Sequence, residues 1–168
     1  MNRAATAADE TAFLEDLYQK TGGGNPKELS KLEVSELLKV LDEEQKHHLE
    51  NKTWKNINNQ TKLVLKQHKI LSAENRHEIY EKLKDQYKYV DEIHELDKGK
   101  YVRWMREDGF LTNGAIVCDI TAGVEGIVIV CKNAQNRFIK YNFNTNATFQ
   151  KLTIHEKIIL EVKELITQ

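Results

Sequence analysis

The stretch KGKYVRWMREDGFLTNGAIVCDI, residues 98–120, decides how this chain is read. Upstream of it the sequence is charged and helical in pattern; at Gly99 the apolar period drops to two. Tyr101, Val102 and Trp104 make a strand-like run, Glu107-Asp108-Gly109 and Asn113-Gly114 supply turn chemistry, and AIVCDI opens a second apolar run. The same alternation predicts strands near 100–105, 114–120, 126–132, 136–143 and 147–152. Further turns are expected at Gly123 to Gly126 and at Asn144 to Asn146. Five short antiparallel strands suit a small SH3-like barrel or a strongly curled sheet.

Two strands are apolar in both registers. In AIVCDI, Asp119 marks the polar side, yet Ala115 and Val117 share it; in GIVIVCKN, Ile127, Ile129 and Cys131 alternate with Val128 and Val130. A strand apolar on both faces is covered on both faces. The barrel interior takes one set, so helices or a partner must cover the other, and Val128 and Val130 are expected beneath the helical part.

Working toward the N-terminus, Ser72 is read as the cap of a long helix with Ile79, Tyr80, Leu83, Tyr87, Val90 and Ile93 along its buried stripe. Its end would be acidic (Asp91, Glu92, Glu95, Asp97), the unfavourable sign for the helix dipole. Lys52 to Leu71 contains five lysines and no acid, with NINNQT (56–61) as a candidate break. Further upstream, one kinked or two short helices are expected over 29–51. Asn25-Pro26-Lys27-Glu28 reads as a capping box, Gly22-Gly23-Gly24 as a hinge or C-cap, and 7–20 as a short helix. At the other end Thr153 and Glu156 form a capping box that opens a final helix, with Ile158, Ile159, Val162, Leu165 and Ile166 inward. The expected architecture is α+β: a helical region over 1–97, a small antiparallel SH3-like β-barrel over 98–152, and a C-terminal helix over 153–168 packing on the same body.

Composition narrows the function classes. The 168 residues carry 25 basic and 26 acidic side chains, so no global basic field draws the chain to nucleic acid, and such binding would need a local patch. Lysines outnumber arginines 20 to 5, and asparagine and isoleucine number 13 each, a bias that speaks of AT-rich coding DNA and not of mechanism. Cys118 and Cys131 sit in strand-like runs and read as small buried hydrophobes with free thiols, which points to a reducing compartment. No apolar run approaches the ~20 residues needed to span a bilayer, and MNRAATAADETAF lacks a signal-peptide apolar stretch. A soluble, intracellular, cytoplasmic protein without a membrane partner is expected.

Catalytic constellations are nearly absent. His77-Glu78, His94-Glu95 and His155-Glu156 recur without a second histidine four residues on, so none is a metalloprotease helix. His47 and His48 are adjacent and point to different faces of a helix. With no GxSxG, HRD, DFG or CxxC, the expectation is a protein that is not an enzyme and holds no metal and no cofactor.

Two groups of residues remain as binding candidates. Lys52, Lys55, Lys62, Lys66 and Lys69 follow a 3-4 spacing, a ridge ~25 Å long at 1.5 Å per residue. Trp54, Ile57, Thr61, Val64 and Leu65 face the core behind it. Such a ridge either tracks a phosphate backbone or is the solvated back of an amphipathic helix. The second group is aromatic: Tyr101, Trp104, Phe110 and Tyr141 lie in or beside the expected barrel. Surface aromatics at strand ends hold peptides or modified lysines, although a small barrel also needs aromatics to fill its core. Tyr101 and Trp104 point to opposite faces of one strand.

GKYVRWMREDGFLTNGAIVCDI, followed by IVIVCKN and FIKYNF, resembles uncharacterised proteins of large nucleocytoplasmic DNA viruses over residues 98–145. The likeness lies in a G-x-Y-V/I-R-aromatic strand, an LTNG-type turn and an apolar strand. The resemblance brings no catalytic motif and implies a virus-encoded accessory or virion protein. The leading functional expectation is a structural or adaptor protein making protein–protein contacts with other subunits of an assembly. The second is a nucleic-acid-associated protein using the Lys52–Lys69 ridge.

Overall fold

Trp54 opens the first helix described by the computed structural model, which describes Leu49 and residues 52–167. The helices, hinge and capping box expected before residue 49 lie outside the described residues. The chain divides into two compact units, Lys55–Leu152 and a second formed by Met1–Trp54 with Thr153–Gln168.

In the first unit, α1 (Trp54–Gln67) runs unbroken through NINNQT, so the expected break is absent. Thr61 donates its hydroxyl to the Ile57 carbonyl one turn back, and Ile57, Thr61 and Leu65 are buried, as the periodicity requires. After Ser72, whose hydroxyl accepts from the Asn75 N–H at 3.2 Å, α2 spans Ala73–Leu83. The helix expected to reach Ile93 stops there. Asp85 takes a left-handed φ of 59°, and Asn58 of α1 holds it in two hydrogen bonds, Nδ2 to Asp85 Oδ1 at 2.8 Å and Asp85 N–H to Asn58 Oδ1 at 3.3 Å. The next residues form β1 (Tyr87–Val90). The acidic 91–97 segment therefore lies beyond a strand, around a single 3-10 turn (Ile93–Glu95), and the dipole cost expected at the end of a long α-helix disappears. Strand structure thus begins inside the region read as helical.

The remaining strands fall where the alternation placed them: β2 (Tyr101–Met105), β3 (Ala115–Gly123), β4 (Gly126–Lys132), β5 (Phe138–Asn142) and β6 (Ala147–Lys151). They form one antiparallel sheet of order β1-β6-β2-β3-β4-β5. The sheet has six strands, not five, and is not closed into a barrel; β1 and β5 are its edges. It curls all the same, because Tyr141 of β5 reaches Trp104 of β2 and Thr148 of β6.

One face of the curl encloses Val90, Val102, Trp104, Val117, Ile129, Cys131 and Tyr141. The other packs Tyr87, Met105 and Phe149 under Leu65, Leu71, Ile79 and Leu83 from the helices and their connection. Those sheet residues come from β1, β2 and β6. Val128 and Val130 are half-buried and belong to neither of these clusters, so among the described residues of this unit no helix packs on them. A β-bulge between Val117 and Asp119 explains the mixed register of AIVCDI. Ahead of it Ala115 and Val117 point inward; beyond it Asp119 pairs with Val130, Ile120 pairs with Ile129, and the inward parity has changed. Cys118, the extra residue, is exposed, contrary to the buried reading; Cys131 is buried, and burial pushes its thiol up to about 12.

In the second unit, α3 (Ile154–Thr167) is the expected C-terminal helix. The Thr153 hydroxyl accepts from the Glu156 N–H at 3.2 Å, and Ile158, Ile159, Leu160 and Val162 are buried. Lys163 Nζ donates to the Leu49 carbonyl. Burial, aided by Glu164, raises the Glu161 carboxyl above its ordinary range, and Lys157 offsets part of that.

Candidate functional site

A groove of about 640 Å³ opens beside β5. Its floor carries Trp104 and Tyr141, its walls are Tyr101 and Thr112 to Gly114 on one side and Asn133 to Gln135 with Ile139 and Lys140 on the other, and Arg106 and Asn146 close its ends. Three of the four aromatic candidates thus line one groove, with Tyr101 reaching it from the face of β2 opposite to Trp104.

The floor is rigid. The Trp104 and Tyr141 rings stack with centroids 4.3 Å apart and planes 9° from parallel, and they are only 5% and 7% exposed. Tyr141 Oη shares a hydrogen bond of 3.0 Å with the buried Thr148 hydroxyl, and burial drives the phenol pKa well above its ordinary value.

The walls are tied as firmly. Trp104 and Thr112 exchange two bonds, Thr112 N–H to Trp104 O at 3.0 Å and Trp104 N–H to Thr112 Oγ1 at 3.1 Å. Tyr101 Oη donates to the Asn113 carbonyl at 2.6 Å. Gly114, at φ +98°, must be glycine, since a Cβ would come within 2.6 Å of the Val102 carbonyl and 2.7 Å of the Tyr101 ring. Across the groove, Asn133 Oδ1 accepts from the N–H groups of Gln135 and Arg137, which fixes the β4–β5 turn. Asn142, Asn144 and Asn146 lace the β5–β6 turn: Asn144 N–H donates to Asn142 Oδ1, and Asn146 Nδ2 to the Asn142 carbonyl. Walls held this way lose little entropy when a ligand settles.

Charge in the groove has one sign. Arg106 and Lys140 are the ionic residues lining it, and no carboxylate does. Arg106 pairs with Asp108 at 3.2 Å just outside, where the Phe110 N–H and the guanidinium hold the Asp108 carboxyl below its ordinary range. Lys140 is exposed and has no such acid among the described residues.

Phe110, the fourth aromatic candidate, stands apart from the groove. It is 54% exposed, with the Arg106 guanidinium 4.7 Å from its ring centroid. The lysine ridge is partly assembled: Lys55, Lys62 and Lys66 are exposed on α1, and Lys69 is exposed just past its end. Lys62 also sits over the Tyr80 ring at 4.9 Å. Lys52 precedes the helix, which starts at Trp54. Among the described residues no group of three or more His, Cys, Asp or Glu stands ready for a metal ion, and no helix is long and apolar enough to cross a membrane.

The polar lining was not singled out from the sequence, although one signal for it exists. Residues 126–152 hold Lys132, Arg137, Lys140 and Lys151 and no Asp or Glu, and they contain most of the asparagines that build the groove's turns. Compared with known proteins, the chain matches no protein family, no curated protein and no solved structure.

Proposed function

We propose that this protein is a non-enzymatic adaptor that docks another protein subunit in the groove beside β5. The observation that carries this reading is the meeting of Tyr101, Trp104 and Tyr141 in one rigid, carboxylate-free groove beside β5, the edge strand among the described residues. A concave site with an aromatic floor and a few fixed polar groups is the usual form of a recognition site. The strand order of β2–β6, a meander whose last strand returns to pair with its first, supports an opened SH3-like barrel as the scaffold. The resemblance of residues 98–145 to proteins of large DNA viruses makes a virion or virus-directed assembly the proposed setting.

Site-specific photo-cross-linking tests the docking. A photoreactive residue at Gln135, on the groove rim, should give a discrete protein adduct in native material, and Arg106→Glu should suppress it. The same residue at Leu63, exposed on α1, should not give that adduct. Identical adducts from both positions, or none from Gln135, would remove the groove from consideration.

A second reading has its own support. The stretch from Lys52 to Ala73 has no acidic residue, and α1 presents Lys55, Lys62 and Lys66 to solvent without a break. If Lys62, Lys66 and Lys69 contact phosphates, changing all three to Glu abolishes retention on DNA. Each contact should add about −0.9 to the log–log salt slope. Absence of wild-type binding to duplex DNA at low salt would end this second reading.

A further inference from the structure

We propose that the groove takes its partner as an added β-strand: an extended acidic segment that pairs with the edge of β5, which no described strand takes. This inference rests on the docking reading above and specifies the partner's conformation and charge.

The register of β5 supplies the edge. Asn133 N–H donates to the Arg137 carbonyl, and Phe143 N–H donates to the Ile127 carbonyl. With Ile129 opposite Tyr141 and Cys131 opposite Ile139, these bonds set the odd-numbered residues of β5 as the pairs bonded to β4. The N–H and C=O groups of Phe138 and Lys140 therefore point away from the sheet. Asn142 is partly spoken for, because Asn146 Nδ2 donates to its carbonyl. The edge borders the groove, since Ile139, Lys140 and Tyr141 line it. A strand laid along β5 gains main-chain hydrogen bonds from the edge and places alternate side chains over the Trp104–Tyr141 floor. Five residues of β5 present roughly 17 Å of edge at about 3.4 Å per residue.

Charge selects the occupant. Lys132, Arg137 and Lys140 lie on or beside β5, and residues 126–152 carry no acid. A lysine on an edge strand also deters non-specific pairing. A second copy would bring the same cations against one another, whereas an acidic segment neutralises them. Single-stranded nucleic acid meets the charge requirement but not the stacking one, because the two floor rings stack on each other and are too buried to offer a base a free face. The exposed rings of Phe110 and Phe138 each already hold a cation, Arg106 and Lys132 respectively, over one face.

The test uses the full chain and a panel of fluorescein-labelled eight-residue peptides in which Glu alternates with Val, Ile or Thr. Twins carry Lys for Glu, and others are N-methylated at alternate residues in one register or the other. Amide hydrogen exchange of Phe138 and Lys140 and fluorescence anisotropy are the readouts. Saturating acidic peptide should slow exchange of both amides at least tenfold, and the Lys twin should not. N-methylation in one register should weaken binding at least tenfold and in the other should not. Lys140→Glu should weaken binding at least tenfold with an unchanged melting temperature. Strand addition is overturned if no acidic peptide at 1 mM protects these amides, or if both methylation registers bind equally. It is also overturned if an oligo-dT 15-mer protects them instead, or if protection grows with protein concentration and no peptide. If the Gln135 cross-link to protein persists while exchange is unchanged, strand addition falls and docking stands. If the cross-link also fails, docking itself falls.

Discussion

The sheet of Lys55–Leu152 has two halves built from similar strands and treated differently by the fold. β1, β6 and β2 lie under α1 and α2, and Phe149 at their centre is fully buried. β3, β4 and β5 enclose the curl's interior with one face and leave the other without a helix of that unit. There Val128 and Val130 are half-exposed, Ile116 more so, and Phe138 is 67% exposed. The lesson is that apolar residues in both registers need not mean helical cover from within the same unit. β4 is flanked by partners on both sides, and its outward valines pack laterally against Asp119, Lys140, Thr121 and Asn142 across the strands. β-branched residues suit such a pleated, half-exposed surface without being core.

The comparison breaks most visibly at its extremes. Phe149→Ala should cost about 3–5 kcal/mol, as a large-to-small change in a packed core does, and chemical denaturation should show a lower midpoint with an unchanged slope. The half without a helix of its own unit should tolerate what the backed half cannot. Val130→Asp, pairing with Asp119 on one side and Lys140 on the other, should cost only about 1 kcal/mol, the spread of strand propensities. Loss of all native signal in that variant would show the outer face of β4 to be core after all.

Between these lies the floor of the groove, where a buried side-chain hydrogen bond joins the ring stack in holding the curl. Tyr141→Phe removes the partner of the buried Thr148 hydroxyl and should cost about 1–2 kcal/mol. Because the ring stack on Trp104 survives, near-ultraviolet dichroism should change little. A cost near zero would mean that the strand pairing alone sets the curl.

The two cysteines sharpen the contrast by kinetics and by pH. Cys118 should react with a thiol reagent at the rate of an exposed thiol, and Cys131 only after unfolding. Folding raises the Cys131 pKa from 9.0 to about 12, so above pH 9 the unfolded chain loses this proton and the folded chain keeps it. Stability therefore falls as pH rises through that window, by up to about 1.4 kcal/mol per pH unit. Cys131→Ala should flatten the alkaline slope. An unchanged slope in that variant would contradict the buried environment assigned to Cys131.

What the sequence determined by itself is local. Period-two alternation with Gly and Asn at the turns placed β2 to β6, and Ser72 and Thr153 marked helix starts, because pleat, turn and cap are written in neighbouring residues. The aromatic candidates were legible as residue types, since Tyr101, Trp104 and Tyr141 stand in those strands. What only the tertiary structure decided depends on residues far apart in the chain. Leu83 and Tyr87 keep a helical spacing, yet Asn58 captures Asp85 and turns the intervening segment into the entry to β1. The bulge at Cys118 changes which side of β3 faces inward, and its reason lies in the pairing with β4. The groove exists because curling carries Tyr141 onto Trp104 across three intervening strand pairings. Spacing along a chain encodes which face a residue takes within its own element; which faces meet is set by packing among elements, and no single stretch contains that information.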